Sequence, residues 1–134
     1  PSAWDYVKES NTVKIGIIDD GFDTGHEDLY FDHVFGDNAA DSMYHGTMVA
    51  GILGAGHDNG VGISGVATNI RLYGYALGKN DGTIMEYKVA LANLVGNRVK
   101  IVNVSMSSKK CKAGYNRNNA SNRIISSKVG KKRL

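Results

Sequence analysis

Cysteine and proline each occur once in 134 residues, and no run of eighteen apolar residues occurs at all. A single thiol, Cys111, excludes an internal disulfide framework and any cysteine-based zinc site. Its lysine neighbours would lower a thiol pKa and raise its reactivity, but an unpaired surface thiol is the plainer reading. Without a long apolar run, the sequence has no candidate membrane-spanning helix. The opening PSAWDYVKES has no initiator methionine, basic n-region or apolar h-region, so no targeting segment is read in it. Acidic residues are missing from the last stretch altogether. Residues 1–108 hold all 13 acidic side chains against 7 basic ones, whereas residues 109–134 hold 9 basic and none acidic. The charge therefore runs from −6 to +9 across a break near Ser108. The rest is ordinary: 42% hydrophobic and 22% charged, in a chain sized for one small domain or part of a larger one.

The apolar pattern predicts alternating elements. Val13–Ile18 (VKIGII) is a β-branched run that reads as a buried strand, ended by the turn signal Asp19-Asp20-Gly21. A short strand is suggested around Tyr30–Phe35. His45–Ala55 (HGTMVAGILGA) has helical spacing but glycines that disfavour a helix, so close packing must hold it. Ile70–Leu77 alternates as a strand, and Thr83–Leu94 carries an apolar helical stripe closed by Gly96 and Asn97. Val99–Met106 is a further strand candidate. The order strand, helix, strand, helix, strand predicts an α/β fold of three layers, with a mostly parallel sheet and helices on both faces.

Two motifs carry chemistry. Asp19 leaves a buried strand at the rim where α/β sheets collect ligands, although alone it would be a turn residue. His45 opens the heptad HGTMVAG, where histidine, two glycines, threonine and alanine stand at fixed spacing without a structural need for that set.

Together these motifs resemble the subtilisin-like serine peptidases. IGIIDDGFDTGHEDL is similar to that family's aspartate motif, and HGTMVAG to its His-Gly-Thr-His-Val-Ala-Gly motif. GVGISGVAT, IRLYGYAL and IVNVSM resemble later family segments in the right order, and Ala3-Trp4 resembles the start of the mature domain. The likeness covers about residues 3–108, read as the N-terminal half of a peptidase domain, apparently truncated; residues 109–134 are read as a basic, non-family-like tail with no predicted element, disorder being one account of it.

The resemblance implies a serine endopeptidase acting on protein and peptide substrates. Asp19 matches the triad aspartate and His45 the general base. Ser105, Met106 and Ser107 match the strand that pairs with substrate backbone. Asp28 matches a carboxylate that binds structural calcium in many members, with Asp58 and Asn59 as further candidates; no cofactor is required for the chemistry. A secreted or cell-surface protein is expected on the same ground. The serine motif Gly-Thr-Ser-x-Ala-x-Pro cannot be completed, because Pro1 is the only proline, and the oxyanion asparagine segment is missing too. Half a site is expected. The rival is a catalytically inactive remnant that binds peptides or complements another chain, and a frameshift or truncation near Ser108 would explain the composition break. An open half-fold also predicts self-association or a complementing partner.

Other patterns give way. Asp20 stands where the family has serine or threonine, and alternation along a strand turns it away from Asp19. Met48 replaces a histidine, Thr68 a proline and Ser107 a glycine of the family pattern. Gly60–Gly65 fits G-x-G-x-x-G, but with a helix before and a strand after, the reverse of a dinucleotide site. The carboxylates and histidines of Asp19–Asp41 have no metal-ligand spacing. The basic tail has only Tyr115 for stacking, so nucleic acid is not expected as a partner.

Overall fold

A computed structural model of the chain describes residues 3–6, 12–39, 43–78 and 83–105. Ala3–Tyr6 forms a short 3-10 turn. Strand β1 (Val13–Asp19) is buried from Ile15 onward, on both faces, as a central strand of a parallel sheet must be. It is followed by β2 (Phe31–Gly36), helix α1 (Tyr44–Gly54), β3 (Ile70–Ala76), helix α2 (Ile84–Gly96) and β4 (Ile101–Val104). The four strands lie in the order β2-β3-β1-β4, and every pairing is parallel.

Side-chain alternation along the central strands divides the core in two. Ile17, Leu72 and Ala76 face one side, where they meet Ala50 of α1 together with Phe22, Leu29 and Ala55. Ile18, Tyr73 and Leu77 face the other, against Ala90 and Leu94 of α2. The three-layer arrangement is thus present, with one helix on each face. Gly16 allows the close approach of α2, since a methyl there would come within 2.9 Å of Leu94 and 3.1 Å of Val99. Helix α2 opens on a reciprocal capping box between Thr83 and Glu86, the local reason it starts where it does.

Three details differ from the sequence reading. The suggested strand near Tyr30 is a full member of the sheet and forms its edge beside β3. Its pairing slips between Phe31 and His33, and the intervening Asp32 meets the Arg71 guanidinium, a bulge of the kind common at sheet edges. The last strand is shorter than Val99–Met106. Arg98 takes a left-handed φ of 62° as the chain turns out of α2, and Val99 is spent on the second core. Met106 and the basic stretch after it lie outside the described residues. Among the described residues no helix is long and apolar enough to cross a membrane.

Candidate active site

The connections through α1 and α2 run over opposite faces of the sheet, which makes the carboxyl end of β1, between β3 and β4, the switch point where such sheets collect ligands. Asp19, the last residue of β1, points into this region from the α1 side and is only 1% exposed. Its main chain is fixed by Leu77 N–H, which donates to the Asp19 carbonyl at 2.9 Å. Its side chain is fixed by the Asp20 N–H, which donates to Oδ1 at 2.9 Å.

His45 comes from the first turn of α1. This helix has three glycines and no side-chain N-cap, so its intrinsic tendency to form is poor. Packing holds it instead. Gly46, Ala50 and Gly54 recur at every fourth position, one face of the helix. A methyl at Gly46 would overlap the Gly21 carbonyl oxygen, and one at Gly54 would overlap Ile70. Thr47 ties the same turn down twice. Its hydroxyl donates to the Met43 carbonyl and accepts from Asp23 N–H at 2.8 Å. The threonine and glycine of the heptad therefore have a shared purpose: they set the imidazole over the end of β1.

The result is a short-range pair. Nδ1 of His45 lies 2.9 Å from both Oδ1 and Oδ2 of Asp19. An ionised carboxylate only accepts, so Nδ1 carries the proton and Nε2 is left with a free lone pair. The hydrogen bond to Asp19 and then the Asp19 charge raise the His45 pKa above its ordinary value, with Asp20 adding a smaller charge effect against partial desolvation. The aspartate is buried while the ring is about half exposed, at 54%. Tyr87 of α2 reaches the same neighbourhood from the opposite face. Burial foremost, then the Asp20, Asp19 and Glu86 charges, push its phenol pKa up.

The remaining candidates separate in space. Ser105 follows Val104, the partner of Ile18, and so stands at the same rim as Asp19, where its Oγ accepts from the Asn103 amide at 2.7 Å. Met106 and Ser107 lie outside the described residues. Asp28 is away from the pair, 4% exposed, with Oδ1 accepting from Asn59 Nδ2 at 2.8 Å and Oδ2 from Ile63 N–H at 3.0 Å. Those bonds, that to Asn59 foremost, hold its carboxyl below the usual pKa. The glycine-rich stretch that mimicked a dinucleotide fingerprint is part of a loop beside Asp28, and His57, just before it, packs edge-on against Trp4 at 4.3 Å. Sequence reasoning missed Asn38. Its amide accepts from Phe22 N–H at 2.7 Å and donates to the Phe22 carbonyl at 2.9 Å, and an asparagine after Gly36-Asp37 signals only a turn.

A buried carboxylate orienting a half-exposed imidazole is an arrangement able to take up and return a proton at Nε2. Comparison with known proteins agrees. The profile of the Subtilase family matches residues 10–133, so the chain belongs to the subtilase family. That match runs past the composition break at Ser108. The chain is 34% identical to the thermophilic serine proteinase of Bacillus sp. (strain AK1), over 78% of its own length and 28% of the relative's. It is 35% identical to the minor extracellular protease Epr of Bacillus subtilis (strain 168), over 78% of itself and 17% of Epr. The crystal structure of the psychrophilic subtilisin-like protease Apa1 from the Antarctic psychrotroph Pseudoalteromonas sp. AS-11 superposes with a TM-score of 0.52 at 26% identity, covering 72% of this chain and 25% of that one. The chain thus spans between 17% and 28% of these relatives.

Proposed function

We propose that this chain is the aspartate–histidine half of a serine endopeptidase site that cleaves protein substrates by acyl transfer. The observation that carries the reading is the double approach of His45 Nδ1 to the buried Asp19 carboxylate. With Nδ1–H committed to Asp19, Nε2 takes the proton from a serine hydroxyl as its oxygen attacks the scissile carbonyl. Nε2–H then protonates the departing amine, and the acyl ester is released by water activated in the same way. Asp19 keeps the ring in the right tautomer and stabilises the imidazolium formed midway. Ser105, with Met106 and Ser107 after it, would pair with substrate backbone along the open side of β4.

The serine and the oxyanion donor are not found as motifs within these 134 residues. Their contribution is large: losing the serine costs about 10⁶-fold, a value known for this family rather than derived from this chain. These 134 residues by themselves are therefore expected to be inactive. A second reading, a binding module for extended peptides, is favoured by the same edge of β4, which has no neighbour among the described residues. Grafting residues 1–105 onto the remainder of the Bacillus sp. AK1 proteinase separates the two. Peptide hydrolysis that falls about 10⁶-fold with His45→Ala supports the peptidase reading. Hydrolysis indifferent to that substitution contradicts it, whereas fluorophosphonate labelling of a serine in the isolated chain would overturn the claim that these residues lack the nucleophile.

The same proposal includes a structural calcium at Asp28, apart from the chemistry. In support, the loop leaves no room for a methyl at Gly56 or Gly62 beside the Asp28 carboxylate. Calcium takes six to eight oxygens, so the ion is held only if Asn59 turns its amide oxygen inward and loop carbonyls complete the set. Calcium should raise the melting temperature of the wild type and not of Asp28→Asn; equal responses would remove the site. Secretion enters as a proposal too, supported by the resemblance and by one relative's being named an extracellular protease.

A further inference from the structure

Phe22 is fully buried, and its backbone N–H and carbonyl lie on the short path from Asp19 to the floor beneath α1. Buried backbone groups need partners, and here no strand supplies them. Asn38 does, through both ends of one amide. Asn38 is itself held close to the sheet, because the preceding residue donates its Asp37 N–H to the Ala76 carbonyl at 3.0 Å. The clamp thus joins the end of β2 and β3 to the loop that follows β1.

That loop is what the histidine rests on. The Gly21 carbonyl fills the space beside Gly46, the Phe22 ring would lie 2.9 Å from a methyl there, and Asp23 N–H donates to Thr47. Resting on the aspartate–histidine reading above, we propose that Asn38 is a positioning residue for the Asp19–His45 pair. By fixing Phe22 at both backbone atoms, it sets the separation between the end of β1 and the first turn of α1. It touches neither reacting group and acts only through the loop. Sequence gives no hint of this, since β2 and β1 are neighbours of β3 and not of each other.

The test is an NMR titration of His45 in the full 134-residue chain, with His57 as an internal reference. The groups facing His45 are the Asp19 and Asp20 carboxylates. Asn38→Ala is expected to bring the His45 pKa down towards the ordinary imidazole value of about 6.5, leaving His57 where it was. Asn38→Ser, whose hydroxyl is too short to span the two Phe22 backbone groups, should shift the pKa in the same direction and serves if the alanine variant does not fold. Leu94→Ala, which damages the second core on the far face, should lower stability without moving the His45 pKa. An unchanged His45 pKa in a folded Asn38 variant overturns the positioning role, as does an equal shift in Leu94→Ala. Asp19→Asn distinguishes failure of the underlying reading: if it leaves the His45 titration unaltered, the pair does not exist, and the role of Asn38 goes with it.

Discussion

Asp19 and His45 show how little of a hydrogen-bonded carboxylate–imidazole pair lies in the two side chains themselves. The carboxylate is buried and receives a backbone N–H from Asp20; the imidazole is half exposed and free to exchange protons. Because the His45 pKa is raised, the pair contributes stability that is fully present below the unfolded value of about 6.5 and lost as pH rises through the folded value. Catalysis runs the other way, since the base must be neutral. In the grafted enzyme, kcat/KM should therefore climb as His45 deprotonates. Asp19→Asn should shift that climb to lower pH and cut the plateau by about 10⁴-fold, measured as a pH–rate profile. A profile whose midpoint stays put would show that Asp19 does not set the base. Asp28 has the opposite sign: its depressed pKa stabilises the loop above the unfolded carboxylate value and ceases to do so as pH falls through the folded one.

Among the elements, α1 is the informative one. Its sequence is a weak helix former, and it exists because glycine at 46 and 54 and alanine at 50 let it lie directly on the loop after β1 and on β3. Gly46→Ala is accordingly expected to cost about 1–3 kcal/mol in urea denaturation, far from the usual gain of alanine over glycine within a helix. A stabilised variant would mean that the helix is not seated as described. The helix, the central strand and the third strand were legible in the sequence because their apolar period is strong and their motifs are dense. β2 was faint because its run is short and bulged at Asp32. The stretch at 56–65 reads from composition alone as a glycine, asparagine and aspartate loop; that it reaches Asp28 depends on a contact 35 residues away along the chain. Asn38 was invisible for the same reason, its partner being 16 residues back. Periodicity reports local structure, and these bonds are not local.

At the scale of the molecule, a parallel sheet wants cover on both faces and along its edges. Among the described residues β4 pairs with β1 alone, and large apolar side chains stay in solvent on both helices, among them Met48 and Ile52 on α1 and Ile84 and Val95 on α2. The chain spans 28% of one relative and 25% of another. Size-exclusion chromatography at rising concentration should show self-association, relieved when a complementing polypeptide is added. A compact monomer with a cooperative melt would show that the exposed surface is tolerated. The asymmetry between legible chemistry and illegible assembly has a physical origin. A histidine motif must keep its residues to work, whereas a surface awaiting a partner is written only as apolar side chains that any core would also use.

The account depends most on one proton, the one carried by His45 Nδ1 towards Asp19. Low-temperature proton NMR of the nitrogen-15-labelled 134-residue chain should show a low-field resonance, bonded to an imidazole nitrogen, that persists as the ring is titrated and vanishes in Asp19→Asn. A wild-type spectrum without that resonance, or one unaltered by Asp19→Asn, would contradict the pairing.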